Sequence, residues 1–144
     1  MHTQTVTLWN FHRESGMWYP TVIEGVSCWA NDAAAASLHG GNAVASFEAS
    51  IPCASGGTII SKGGEKRYFP PKTFAVCASP DKCITFAPGV DFISEGEAEA
   101  AVPIRDADYE SGFYDAMNNS NDGVHLLTSS VYYGLIPHYE IGGK

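Results

Sequence analysis

The sequence has no C-x2-C pair, no G-x-S-x-G, and no apolar run approaching the ~20 residues that cross a bilayer as a helix. Each absence excludes a class. Without closely spaced cysteine pairs there is no zinc-finger framework; of the four cysteines, Cys77 and Cys83 are the nearest two, with five residues between them. Without elbow glycines, Ser129-Ser130 does not read as a hydrolase nucleophile. Basic residues are scarce. Eight Lys and Arg face 16 Asp and Glu, a formal charge of −8, which argues against a protein that holds nucleic acid on a broad basic face. The first residues, MHTQTVTLWNF, lack a positive segment followed by an apolar core. The expectation is a chain made in a cytoplasm, with no membrane contact. Cys28, Cys53, Cys77 and Cys83 are then free thiols, and the Asn118-Asn119-Ser120 sequon carries no glycan.

What is present points to strands. The 144 residues are 44% hydrophobic and 17% charged, with 15 Gly, 8 Pro and 12% aromatics, a balance that favours strands joined by turns in one domain spanning 1–144. Gln4–Trp9 (QTVTLW) and 42–53 (NAVASFEASIPC) alternate at the strand period, the second with Phe47 and Ile51 on its apolar side. Met17–Ala30 reads as a strand interrupted at Pro20 and Gly25, and Ala54–Arg67 as a hairpin with glycine pairs. Lys72–Ala78 and Cys83–Phe86 are strand candidates around a Ser79–Lys82 turn. Val124–Tyr133 and Pro137–Ile141 read as closing strands. Trp9, Trp18 and Trp29 are expected in the core. Asn31–Gly41 reads as one or two helical turns or a loop. The helix candidate is 107–118, where Tyr109, Phe113 and Met117 recur every four residues. The fold expected is mainly β: seven to nine strands in a small barrel or sandwich, the helix over one opening, and an extended glycine-rich basic loop.

Charge is uneven. Four of the eight Lys/Arg lie between Lys62 and Lys72, and nine of the sixteen acids between Asp91 and Asp122. The Ser61–Arg67 loop lacks the spacing and the following helix of a phosphate-binding loop, yet its cations Lys62, Lys66 and Arg67 are candidates for sequence-independent contact with DNA phosphates. Asp106-x-Asp108-x-Glu110 opens like a calcium loop, but Ser111 and Met117 stand where glycine and a bidentate acid are required, so an acidic helix start is the simpler reading. His2, His12, His39, His125 and His138 join no local signature with a cysteine. No metal site, cofactor or catalytic residue is indicated, and a cysteine-dependent hydrolase remains one alternative. CITFAPGVDFISEGE, from Cys83 to Glu97, breaks at Pro88-Gly89; Asp91 reads either as a general base or as the cap of that turn.

An ordered set of short motifs gives a resemblance. Tyr68-Phe69-Pro70-Pro71-Lys72 is followed by Ile84–Ile93 with Gly96-Glu97, and then by Pro137–Lys144 (PHYEIGGK). With Thr7–Asn10 and Gly25–Trp29, this order resembles a family of small structural proteins of tailed phages and prophages of Gram-positive bacteria. There a P-P-K element precedes a T-L-x-x-G-D-x-I-V-K-G strand, and the chain ends H-W-E-V-x-G-K. The signature positions here are Pro88, Gly89, Asp91, Ile93 and Gly96. Val90 separates Gly89 from Asp91, Ser94-Glu95 replaces Val-Lys, and Tyr139 replaces Trp; any role of a lysine before Gly96 is lost. The resemblance implies a virion neck protein for head completion. It would be a stopper or connector of β-barrel fold, in a hexameric ring between portal and tail, touching packaged DNA. Tail completion or tail adaptation is the alternative within the class.

Overall fold

The computed structural model describes residues 3–31, 46–99 and 101–144. β1 (Thr3–His12) turns at Arg13–Gly16 into the long β2 (Met17–Asn31), and the Gly16 N–H donates to the His12 carbonyl at 2.9 Å. The two strands pair antiparallel from His12↔Met17 to Thr3↔Ser27. Opposite Thr5 the register slips, with Glu24 and Gly25 facing one residue, and Gly25 has φ +74°. That bulge bends β2, so its last residues, Ser27–Asn31, pair with β3 (Ser46–Pro52).

The remaining strands are β4 (Ile59–Ser61), β5 (Gly64–Tyr68), β6 (Cys83–Ile84), β7 (Phe92–Glu95), β8 (Ile104–Arg105), β9 (Val124–Tyr133) and β10 (His138–Gly143). The order β1-β7-β9-β10-β3-β2 closes on itself through the β1–β2 pairing. The result is a six-stranded antiparallel barrel, with β8 as an extra strand on β2. β4, β5 and β6 form a separate small sheet, antiparallel between β4 and β5 and parallel between β5 and β6.

Alternation sets the interior. Val6, Leu8, Ile23, Val26, Phe47, Ala49, Ile51, Ile93, Leu127, Tyr139 and Ile141 form one buried cluster, joined by Ile59, Ile84 and Phe86 from the small sheet and the chain after it. The neighbouring residues of opposite parity, Trp9 on β1 and Phe92 on β7, lie in a second cluster with Trp18, Phe113 and Val124. The ring of pairings closes the barrel, and the second cluster needs a cover on the outer wall.

That cover is α2 (Phe113–Ser120), following α1 (Pro71–Phe74) in chain order. Phe113 meets Trp9 edge-on with centroids 4.8 Å apart, and burial of one such aromatic is worth about 1.5–3 kcal/mol. The helix therefore packs against the outside of the barrel rather than over an opening, and it starts later than the periodicity of 107–118 suggests. Asp106–Asp108 is a 3-10 turn instead, and Gly112 has φ +89°, outside helical geometry. Tyr109 still packs on Phe113 at 5.2 Å, so the apolar spacing survives without one continuous helix.

Two other expectations change. Lys72–Ala78 is not a strand: Pro71 opens a helical turn, with the Phe74 N–H on the Pro70 carbonyl at 2.9 Å, because two prolines preset helical or extended φ and Phe74 is buried. Trp29 is not in the core. It is 50% exposed, its indole N–H donating to Glu48 Oε2 at 2.6 Å. Apart from Asn31, the Asn31–Gly41 stretch lies outside the described residues, as do His2 and His39.

Candidate functional site

The Pro88–Gly96 stretch is a junction between strands. β7 pairs with both β1 and β9, and just before it the chain turns away from β9. Leu127 N–H donates to the Asp91 carbonyl at 3.0 Å and Gly89 N–H to the Leu127 carbonyl at 2.7 Å. Gly89, at φ +78°, takes a conformation that a side chain resists. The turn closes twice, through Asp91 N–H to the Ala87 carbonyl at 2.9 Å and Ala87 N–H to Asp91 Oδ2 at 3.0 Å. Asp91 is thus the cap of its turn.

It is also more than that. The carboxylate is fully buried and reaches β1: Phe11 N–H donates to Oδ1 at 2.9 Å, and Asn10 Nδ2 to Oδ2 at 2.9 Å. Asn10 Nδ2 also reaches the Thr85 carbonyl at 2.6 Å. Burial pushes the Asp91 carboxyl up to about 7, against the pull of these three N–H donors. Its oxygens are occupied by donors that bind strand to turn. Ile93 lies in the barrel interior. Gly96, at φ +88°, donates to the Thr5 carbonyl at 2.8 Å, and its own carbonyl accepts from Thr7 Oγ1 at 2.9 Å. Every signature residue from Gly89 to Gly96 with a described bond or packing contact is engaged in joining β1, β7 and β9.

The basic segment is the β4–β5 hairpin, docked on β2 by the Lys62 N–H to the Val22 carbonyl at 2.9 Å. Its three cations part company. Lys62 pairs in solvent with Glu97 at 2.6 Å. Lys66 folds inward, its Nζ donating to Thr21 Oγ1 at 2.9 Å and the Pro20 carbonyl at 3.2 Å, and burial lowers its pKa. Arg67 is exposed, its guanidinium 5.7 Å from the Phe69 ring centre. The sequence places the three together; the strand alternation separates Lys66 from the others.

The cysteines are free thiols, and burial raises the pKa of each, that of Cys28 to about 11. None is poised as a thiolate. His12 is buried between Ser15 Oγ at 2.7 Å and the Cys77 carbonyl at 2.9 Å, a backbone contact rather than a thiol contact. His125 stacks on Phe47 at 3.9 Å and meets Glu95 at 3.0 Å, and His138 stacks on Tyr133 at 5.0 Å. Among the described residues no group of three or more His, Cys, Asp or Glu has the arrangement to hold a metal ion. None of the helices is long and apolar enough to cross a membrane, among the described residues.

The feature that sequence reasoning missed is the β9–β10 arm. β9 pairs with β7 only at Val124–Leu126, because the Ala87–Asp91 turn carries the chain off. From Thr128 to Tyr133 its only strand partner among the described residues is β10. Val131 (49%), Tyr132 (43%), Tyr133 (44%), Leu135 (98%) and Ile136 (76%) are exposed here, half of the ten exposed large hydrophobics among the described residues. The signal was present in VYYGLIP, an apolar tip with no charge.

These features belong to a whole-chain match with a known family. The chain is a member of DUF6751, a family of unknown function, which it matches over residues 1–144. No curated protein and no solved structure matches it.

Proposed function

We propose that this DUF6751 chain is a virion structural protein of a tailed phage. In this reading it is a head-closure subunit, a stopper or connector, that forms a ring in the neck between portal and tail and helps retain or pass the DNA. It is assembled in the bacterial host cytoplasm, acts in the virion, takes no cofactor and is not an enzyme. Its partners are further copies, the portal or adaptor, and tail proteins, with non-specific contact to packaged DNA.

The observation that carries the reading is the use of the signature stretch. Gly89, Asp91, Ile93 and Gly96 make structural bonds or core contacts that lock three strands together, as a load-resisting wall requires. The charge of −8 suits a channel wall that repels phosphate and lets DNA slide. The exposed apolar arm suits a subunit whose working state is an assembly.

The test is deletion of the gene from the phage or prophage that carries it, followed by electron microscopy. A head-closure subunit leaves tails unattached and heads that lose their DNA. Tail completion, the second reading, leaves filled and stable heads with aberrant tails. Normal virions would end both.

A further inference from the structure

The β9–β10 arm has a counterpart on the same molecule. Phe11, Pro71, Ala75 and Val90 line a mainly apolar groove of about 230 Å³, with Arg13 and Lys72 at its margin. Both cations are exposed, and neither has an ion pair among the described residues. The arm is the reverse. From Thr128 to Ile141 it carries no Lys or Arg, and its one acid, Glu140, lies on the face beside Val131. Glu48 stands on the neighbouring strand of that face. Two copies each carrying −8 repel one another over most of their surface. They are complementary where an apolar, acid-flanked arm meets an apolar, cation-flanked groove.

We propose that the β9–β10 arm of one copy docks in the Phe11–Val90 groove of a second copy. Leu135 and Ile136 enter the groove, and Glu140 and Glu48 face Arg13 and Lys72. Two different surfaces meet, so the contact is head-to-tail and repeats from copy to copy until a rotation closes it. The proposal names the partner for the ring reading above and rests on that reading for closure. The groove is bounded by Pro88 and Val90, so the turn that frees the β9 edge also shapes the receiving site.

Analytical ultracentrifugation of the full chain tests it. The wild type should sediment as assemblies larger than a dimer at high micromolar concentration, dissociating as salt rises. Leu135→Asp and Val90→Asp alter exposed side chains, and each should give a monomer with an unchanged circular dichroism spectrum. Mixing the two variants should restore a 1:1 dimer and nothing larger, since one intact arm then meets one intact groove. Lys72→Glu should weaken assembly, and adding Glu140→Lys should recover part of it. A wild-type monomer at several hundred micromolar, or variants that assemble as well as wild type, overturns the interface while leaving the neck reading to the deletion phenotype. Leu135-dependent flotation with phosphatidylcholine vesicles, without self-association, would also overturn it and assign the arm to lipid.

Discussion

Asn10 Nδ2 lies 2.9 Å from Asp91 Oδ2, a hydrogen bond between side chains 81 positions apart. With Phe11 N–H and Ala87 N–H on the same carboxylate, it fastens β1 to the turn that precedes β7. Asp91→Ala leaves three donors buried without that acceptor, and an unsatisfied buried group costs about 1–3 kcal/mol. A loss of several kcal/mol in urea unfolding is expected, with the secondary structure kept at low urea. A loss below about 1 kcal/mol would contradict the junction role.

The same carboxyl makes stability depend on pH in a defined direction. Its folded pKa, about 7, lies above the unfolded value of 3.8. The stabilising share is fully present below the unfolded pKa, declines as pH rises between the two values, and is gone above the folded one. Urea unfolding of the wild type should therefore show a component lost between pH 4 and pH 7, on the order of a few kcal/mol by linkage. Asp91→Asn should lack that component. Parallel pH profiles for wild type and variant would contradict the assignment.

Asp106 Oδ1 takes two donors, Trp18 Nε1 at 2.8 Å and Phe113 N–H at 2.9 Å. It thereby caps α2 from six residues before Gly112 and ties the helix to β2. Asp106→Ala is expected to cost about 1–3 kcal/mol, the range for leaving buried donors unpaired. A red shift of tryptophan fluorescence should accompany it as Trp18 gains water. An unshifted spectrum would count against this bridge.

The cations of the hairpin should separate by substitution. Lys62→Ala removes an exposed ion pair and should leave the urea midpoint unmoved. Lys66→Ala removes the donor to Thr21 and Pro20 and should destabilise the fold by about 1 kcal/mol or more. DNA retention is best read with Lys62→Ala and Arg67→Ala together, because they spare the fold. Increased genome leakage from filled heads is the outcome expected of a DNA contact; unchanged retention removes that contact from the account.

The four thiols should resist alkylation in the native state. With a pKa of about 11, Cys28 is thiolate to only on the order of a thousandth at pH 8. Iodoacetamide labelling should be slow before urea and rapid after it. Fast labelling of one cysteine in the folded protein would revive the cysteine-hydrolase alternative.

Much of the barrel was legible in the sequence because period-two patterns decide which face is buried. The pattern of 42–53 places Phe47 and Ile51 inside. The helix start was less so, since Tyr109, Phe113 and Met117 repeat correctly while Gly112 and the Asp106 cap act locally against a helix. Trp29 was misplaced because composition does not say which side of a strand meets solvent when Glu48 offers an indole partner. Asn10 is one of two polar residues in TLWNF, but its partner Asp91 is distant in sequence and only the fold brings them together. The arm was missed for a related reason: VYYGLIP looks like core until the strand beside it is seen to turn away.

The most direct measurement is a cryo-EM reconstruction of the neck of the virion whose genome encodes this chain. Density for the six-stranded barrel is expected, repeated around the DNA channel between portal and tail, with each β9–β10 arm lying on the neighbouring copy. A neck fully accounted for by other proteins, with this barrel absent from the particle, would contradict it.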